Sequence, residues 1–508
     1  MAVQYRSELC ECASDNGTIV TLQEDNSSTN TSITPDASLK SVPAKEQRLV
    51  AEETGVPSAP LVITYPLPLE KVDQKPFRFL RHVLFTVYRR LFTIVFMSNI
   101  LGFISIEARH RDLNSYIRVI SSAASGNLFV AVAMRQDYII NILCEVFAAT
   151  PKSVPLRFRR ILTKVFEFGG VHSGAATCSL AWFIRLAVLL TVCFENGSLR
   201  NIPVLIFAYC LLLLFTAIVI FALPGLRRKQ HNTFERIHRF AGWMCSVIFW
   251  TLIVLTAKAL SQRTGSEHTT SYILVHLPSF WLLSLNTIHS LIPWLRLRKL
   301  PATPEHLSDH ALRLHLKADI SDFYTIRVSD SPLSEWHSFA CFVDAVPRNG
   351  STNSVVISKA GDWTSKTIAE PKPYYWTRGL PTRGVLYMSL IFKSVVLVTT
   401  GSGIGPCLNL LNLAPSNRPS VRVLWSTPKP LETFGEEIVG NVRAADPDAV
   451  IWDTKAFGRP DMVGLTWQLL QESQAEAVFV ISNPTVTKMV VYALESRGVA
   501  AYGPVFDS

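Results

Sequence analysis

The segment Thr399-Thr400-Gly401-Ser402-Gly403-Ile404-Gly405-Pro406 follows directly on the apolar run Val395-Val396-Leu397-Val398, the pattern of a strand that runs into a glycine-lined turn and a helix start. Residues of that kind can hold a diphosphate. Glycines let backbone amides come close to an anion, proline suits the first helical turn, and the amides there point at the phosphate with the helix dipole behind them. Thr400, Gly401, Gly403, Gly405 and Pro406 are therefore the candidate contacts. Ser426, Thr427 and Lys429 follow the next expected strand, where a ribose 2′-phosphate would be read, which favours NADP over NAD. Such a turn alone is a weak signal; its weight comes from lying in a soluble-looking C-terminal third behind apolar segments of membrane length.

The elements around the turn alternate strand and helix. Val395–Val398, Val421–Trp425, Ala449–Trp452 and Ala477–Ile481 read as strands; helices are expected after Pro406, near Glu436–Ala444, near Leu465–Glu472 and from Val486 to Arg497. Residues 394–508 thus form an α/β nucleotide-binding lobe of Rossmann type. Upstream, 301–393 carries short alternating strands (Ala311–Leu316, Phe323–Val328, Phe339–Val343, Ser354–Ile357), the texture of a small antiparallel β-barrel.

The first half of the chain has another character. Of 508 residues, 48% are hydrophobic and 17% charged, too apolar for an ordinary globular protein of this length. Six segments, about 83–106, 116–134, 170–193, 202–223, 238–260 and 271–293, approach the roughly 20 residues that a bilayer-spanning helix needs. Residues 76–300 are read as a six-span α-helical bundle in a lipid bilayer, with a possible further interfacial helix at Tyr138–Ala149 expected after the second. The net charge of +10 gathers beside these segments, so it faces headgroups and does not indicate nucleic acid. Arg78, Arg81, Arg89 and Arg90, then Lys152, Arg157, Arg159, Arg160 and Lys164, then Arg227 to Arg239 precede the first, third and fifth spans, which puts both termini in the cytosol; Arg109, Arg111 and Arg118 run against this. Residues 1–75, polar and without a cleavable leader pattern, are expected to be a disordered cytosolic tail. On that topology Asn196-Gly197-Ser198 is an external glycosylation triplet, while the triplets at Asn26 and Asn30 are not. The nine cysteines form no paired framework and no zinc pattern.

A barrel followed by a βαβ lobe opening on Gly401-Ser402-Gly403-Ile404-Gly405-Pro406, behind six spans, resembles the ferric-reductase and NADPH-oxidase superfamily with its ferredoxin-reductase-like tail. Asn232-Thr233-Phe234-Glu235-Arg236-Ile237-His238-Arg239-Phe240-Ala241-Gly242-Trp243, Glu335-Trp336-His337-Ser338-Phe339, Gly361-Asp362-Trp363-Thr364 and Gly503-Pro504-Val505-Phe506-Asp507-Ser508 are similar to a fungal branch of conidiation-associated integral membrane flavoprotein-like proteins, also found fused to adenylating enzymes. The resemblance implies FAD on the barrel: Trp336, His337 and Phe339 against the flavin ring, with Lys359, Trp363 and Thr364 near its phosphates. It implies that Ser482 lies by the nicotinamide and that Phe506 covers the flavin, the alternative for Phe506 being ordinary packing. Two motifs depart from the pattern. The usual His-Pro-Phe-Thr/Ser reads His337-Ser338-Phe339-Ala340, and the usual Cys-Gly-Pro reads Ser482-Asn483-Pro484.

Ferric reductases also stack two haems between histidine pairs, and here the histidines run short. His172, His238 and His289 lie in the cytoplasmic half of their spans, and His276 is alone in the outer half. At most one inner haem, on His172 and either His238 or His289, can be built from histidine; otherwise these side chains bond to carbonyls. Arg185, inside the third span, is expected to face the bundle and hold a carboxylate, a headgroup or a substrate. Two functions remain open. One is an FAD- and NAD(P)H-dependent oxidoreductase serving an unidentified small-molecule acceptor at the inner leaflet, in specialised metabolism or developmental signalling. The other is a non-catalytic sensor, transporter-like body or scaffold with a degenerate reductase tail.

Overall fold

The structure, a computed structural model, describes residues 63–71, 75–109, 112–263, 267–348 and 350–504. Of the tail expected over 1–75, residues 1–62 and 72–74 lie outside the described residues, as do the triplets at Asn26 and Asn30 and Phe506. Residues 63–71 are instead ordered against the lobe, with the N–H groups of Thr64 and Tyr65 donating to Gln468, and that of Lys71 to the Ser496 carbonyl.

The helical half comprises α1 (Val87–Glu107), α2 (Leu113–Ala133), α3 (Asp137–Ala148), α4 (Leu156–Leu162), α5 (Gly169–Glu195), α6 (Ile202–Phe221) and α7 (His231–Ser261), then α8 (Thr270–His276) and α9 (Pro278–Leu295). Among the described residues, the five helices α1, α2, α5, α6 and α7 are long and apolar enough to cross a membrane. Polar caps start three of them: Thr86, Asp112 and Asn201 accept from the backbone N–H of Arg89, Ser115 and Val204. The sixth expected span is not one helix. Pro278 pushes Leu277 out of the helical region, to φ −84° and ψ 117°, and splits the segment into α8 and α9.

α5 is the central helix. Its Trp182, Phe183, Leu186 and Leu190 pack with Ile117 and Ile120 of α2 and Phe249 and Leu252 of α7. Gly174 lets α5 lie close on α1, where a Cβ would stand 3.1 Å from the Phe92 carbonyl oxygen. Arg185 holds a carboxylate, as its cost in an apolar segment requires. It grips Glu107 with Nε at 2.9 Å and Nη2 at 3.2 Å and donates to the Tyr116 hydroxyl at 2.6 Å.

The second half begins with an antiparallel sheet of β1 (Arg298–His306), β2 (Ala311–Leu316), β3 (Tyr324–Ser329), β4 (His337–Ala340), β5 (Phe342–Arg348), β6 (Ser351–Ser358), β7 (Tyr374–Thr377) and β8 (Thr382–Arg383), with α10 (Asp362–Ala369) after β6. The order is β4-β3-β7-β1-β2-β6-β5, with β8 also on β3. The end strands β4 and β5 are consecutive in the chain, so the sheet curls toward a barrel around Leu312, Leu314, Leu316, Val328 and Ile357. The expected strand Phe339–Val343 is interrupted at Cys341, whose N–H turns to the Tyr324 carbonyl at 2.8 Å.

The lobe follows as β9 (Ser394–Thr400), α11 (Ile404–Leu411), β10 (Ser420–Thr427), α12 (Pro430–Ala445), β11 (Val450–Asp453), α13 (Met462–Ser473), β12 (Ala477–Ile481), α14 (Pro484–Glu495) and β13 (Ala501–Tyr502). Its sheet is wholly parallel, in the order β11-β10-β9-β12-β13. Barrel and lobe share one core, since Ala311, Phe323, Phe342 and Val356 join Leu397, Ile404, Leu408 and Trp425. Asn409 fastens the joint by accepting from the Phe323 N–H at 2.8 Å.

The two halves are locked together by the segment between α2 and α5. α3, the helix expected to be interfacial, docks on the barrel: Asn141 bonds the Pro381 carbonyl and the Arg383 N–H, and Glu145 pairs with Arg383 at 2.6 Å and accepts from Tyr387 at 2.6 Å. α4 docks on the lobe through a two-pronged pair of Arg159 with Glu476, at 2.7 and 2.9 Å.

Candidate functional site

The strand order of the lobe reverses at β9, which lies between β10 and β12, and open parallel sheets bind ligands outside the carboxyl ends of the strands at such a point. The turn expected to hold a diphosphate is there. Gly401, at φ +51°, takes the left-handed conformation in which glycine is least strained. Trp425, buried beneath, donates its Nε1–H to the Gly401 carbonyl at 3.0 Å and fixes the turn from below. Gly403 is required by packing: a Cβ would lie 2.5 Å from Thr399 Oγ1 and nearer still to the Ile481 carbonyl oxygen, at the end of β12. Gly405 faces the barrel, where a Cβ would meet Val356 at 3.2 Å. Pro406 falls within the first turn of α11.

Across this crevice Thr400 and Ser482 meet, their hydroxyls sharing a hydrogen bond of 2.5 Å. β9 and β12 are adjacent and parallel, so residues at their carboxyl ends face one another. Asn483 caps α14 by accepting from the Val486 N–H. Ser426 and Thr427 lie differently from Thr400. Both are buried in β10, Thr427 at 1% exposure with an unpartnered hydroxyl oxygen. Lys429 lies beyond the strand at φ +41°, its N–H on Asp453 and its ammonium on Glu432 at 2.7 Å. Of the three residues expected to read a 2′-phosphate, only Lys429 presents its polar end to solvent, and a ligand there competes with Glu432.

On the barrel, Trp363 gathers the other candidates. His337 stacks on its ring at 4.2 Å between centroids and 22° between planes, and Phe339 lies at 5.9 Å. Trp363 is 7% exposed; its Nε1 and the Nε2 of His337 are both buried without a hydrogen-bond partner, the latter 3.8 Å from Glu335 Oε2. Burial lowers the His337 pKa, with Glu335, Glu235 and Asp330 opposing, so the ring is held neutral. Thr364 shapes the start of α10: its hydroxyl accepts from the N–H of Ala360 and of Gly361, each at 2.9 Å. Lys359 is exposed at the end of β6. Trp336 lies apart from the stack, donating to the Pro332 carbonyl and packing under Arg378.

The histidines of the helical half divide. His172 bonds the Ala131 carbonyl through Nδ1 at 2.8 Å, which leaves Nε2 as the free ring nitrogen, the arrangement of a metal-ligating imidazole. His289 has its Nε2 on the Tyr138 hydroxyl at 2.7 Å and its Nδ1 buried without a hydrogen-bond partner, so Nδ1 is the ring nitrogen it keeps clear. Among the described residues no group of three or more His, Cys, Asp or Glu side chains is placed to hold a metal ion.

Sequence reasoning missed Arg378, whose guanidinium lies between Trp294 at 4.7 Å and Trp336 at 4.5 Å, and the Tyr138–His289 contact. Neither has a local signature, since each joins elements distant in the chain.

Fold and site together define a two-part module, a curled antiparallel sheet and a parallel α/β lobe with a phosphate-type turn at its switch point, docked on a set of long apolar helices. Residues 385–508 match the family described as adenylate-forming reductase 03009, C-terminal domain. Adenylate-forming reductases 03009 and 06235 of Coprinopsis cinerea are 42% identical over 452 residues and 41% identical over 446 residues, each alignment taking in 86% of this chain and 42% of the relative. The chain thus spans less than half the length of these curated relatives. Among solved structures, ferredoxin NADP+ reductase from Neisseria gonorrhoeae with bound FAD and NADP is similar at 13% identity and TM-score 0.34, over 41% of this chain and 99% of that one. Flavohemoglobin from Malassezia yamatoensis with FAD and heme is similar at 13% identity and TM-score 0.33, over 76% and 98%.

Proposed function

We propose that the chain is a membrane-embedded NAD(P)H-dependent flavin oxidoreductase of the general ferric-reductase plan, with NADPH on the lobe, FAD on the barrel and a lipid-soluble acceptor at or in the inner leaflet. FAD, when bound, would take the hydride of the nicotinamide and pass its electrons on. The observation that carries this reading is the turn at the switch point: Gly401 and Gly403 are demanded by backbone and packing, and Thr400 and Ser482 close the crevice where a nicotinamide would enter. The barrel also fits its cofactor, since the buried Nε1 of Trp363 and Nε2 of His337 lack hydrogen bonds that a flavin's carbonyl and ring nitrogens would supply. Reductase in the names of the relatives supports the same class. The module, α4 and the segment Ile63–Lys71 lie on one side of the helices, which we take as cytosolic.

A second reading, a nucleotide-binding sensor or scaffold without turnover, is favoured by the His337–Trp363 stack, which occupies the barrel face with the protein's own rings. Spectra of the purified protein from about 350 to 600 nm, before and after anaerobic NADPH, separate the two. Flavin bands that bleach establish the reductase; a spectrum still free of flavin after FAD is added supports the scaffold. Gly403→Trp should abolish NADPH oxidation with membrane insertion intact, and unchanged oxidation would sink the turn assignment.

A further inference from the structure

We propose that the seam between the helix ends and the β3–β7 edge of the barrel binds a phosphate group. Four arginines converge there. Arg378, just after β7, is clamped between the rings of Trp294 and Trp336, and its Nε is buried without a hydrogen-bond partner. The next residue, Gly379, bonds the Pro293 carbonyl at the end of α9 through its N–H at 3.0 Å, and a Cβ on it would stand 3.3 Å from Arg327 Nη1. Arg327 grips Asp137 at 2.5 Å, and Arg239 of α7 donates to the carbonyls of Leu333 and Ser334, in the loop leading to Trp336. Arg135, just past the end of α2, is near enough to Arg327 to add to the positive field there.

The carboxylates do not match this charge. Asp137 is taken by Arg327 and by the Leu380 N–H, and Glu235 by Arg239. Arg135 and Arg378 make no ion pair among the described residues. Burial, with Arg327 and Arg239 beside it, brings the Arg378 pKa down to about 10, against the opposing pull of Glu235 and Asp137. A guanidinium fork without an ion pair, walled by two tryptophans and flanked by Arg327 and Arg239, suits a phosphate, which accepts several charge-assisted bonds at once. The location narrows the source. Arg135 and Trp294 end helices of the apolar bundle, and Trp243 packs on Trp294 at 5.4 Å, so on the membrane reading the seam lies at headgroup depth. The phosphate of an anionic lipid and that of a soluble ester share this chemistry.

The test uses the full chain in nanodiscs of phosphatidylcholine alone or with a tenth of phosphatidic acid. Native mass spectrometry should find one phosphatidic acid retained at least tenfold over its share of the bilayer, and Arg378→Gln should remove that preference. In phosphatidylcholine alone, Arg378→Gln should melt no lower than the parent, because it removes an uncompensated charge. If that variant does not fold, Arg135→Gln, which leaves the tryptophan clamp intact, should show the same loss. Pyrophosphate that raises the melting temperature in phosphatidylcholine discs, and does so only with Arg378 present, would assign the site to a soluble phosphate. If neither phosphatidic acid nor pyrophosphate gives an effect that depends on Arg378 or Arg135, the proposal fails and Arg378 is a packing residue.

Discussion

Two glycines of the diphosphate turn should fail in opposite ways when replaced by alanine. At Gly403 the added Cβ would stand 2.5 Å from Thr399 Oγ1 and closer to the Ile481 carbonyl oxygen. Neither neighbour can swing away: one is backbone at the end of β12, and the other is held to that same carbonyl at 2.8 Å. Overpacking against such a wall costs about 1–3 kcal/mol, and loss of the Thr399 bond adds about 1 kcal/mol, for a total of roughly 2–4 kcal/mol. At Gly401 a Cβ meets no atom within 4 Å, so the cost is that of alanine at φ +51°, about 1–2 kcal/mol. A module of this size loses about 2–4 °C per kcal/mol, which puts Gly403→Ala roughly 4–16 °C below the parent and Gly401→Ala roughly 2–8 °C below. For nucleotide binding the order reverses per unit of stability lost. The open space at Gly401 is what a phosphate would occupy, and a methyl group there should weaken NADPH binding at least tenfold, about 1.4 kcal/mol. Scanning fluorimetry of the full chain in detergent, with NADPH titrated below the melting range, reads both quantities. If Gly401→Ala melts as low as Gly403→Ala, or binds NADPH as the parent does, the division into a packing glycine and a ligand glycine is wrong.

Arg159→Ala leaves Glu476 without its cation at the α4–lobe joint and should cost about 3 kcal/mol, seen as early unfolding of the lobe. Arg159 holds the Glu476 carboxyl below its ordinary value of 4.5, so this stabilisation is complete above that value and drains away as pH falls through the depressed one; Glu476→Gln should flatten the acid limb of a melting-versus-pH curve. His315 behaves oppositely. It lies buried between Asp344 at 3.1 Å and Glu305 at 2.7 Å, hydrogen bonding to Asp344 raises its pKa above 6.5 against desolvation, and the stability it brings is full below 6.5 and lost as pH climbs through the raised value. Melting of the parent should fall relative to His315→Gln across that window, and parallel curves would refute the charged pairing. Gln468 accepts from the N–H of both Thr64 and Tyr65 at 3.0 Å, so Gln468→Leu should release Ile63–Lys71 and speed proteolysis there with little change in the lobe's melting.

What was legible in the sequence was local. β2 and β12 carry the bounds read for them, because each is a short strand, alternating in β2 and continuously apolar in β12, with a clear break at both ends. The turn at Gly401 was legible for the same reason, as its strand, glycines and helix start are contiguous. Hydropathy saw 271–293 as one span because it sums side-chain transfer and takes no account of backbone geometry, although Pro278 held the information. The burial of Ser426 and Thr427 is a tertiary fact: they point to opposite faces of β10, and only what packs on those faces covers them. Nothing local predicts the His337–Trp363 stack or the Trp294–Arg378–Trp336 clamp, since each draws on separate elements that only the tertiary fold brings together.

The arginines before α5 show how an inference can outlive its mechanism. From sequence, Lys152, Arg157, Arg159, Arg160 and Lys164 were charges facing headgroups, and that fixed the side of the membrane. In the structure three of them face the protein: Arg159 on Glu476, Arg160 on the Gly498 carbonyl, and Lys164 between Glu167 and Glu495. Their stated role was therefore mistaken. The contacts put this loop in the compartment of the lobe, because a polar lobe lies in water and the loop is bonded to it in three places. The positive-inside rule alone makes that compartment the cytosol. Charge reversal at Arg157, which is not among the three docked residues, is the clean discriminator: it should disturb orientation in the membrane if headgroups still count, and leave the lobe's attachment untouched.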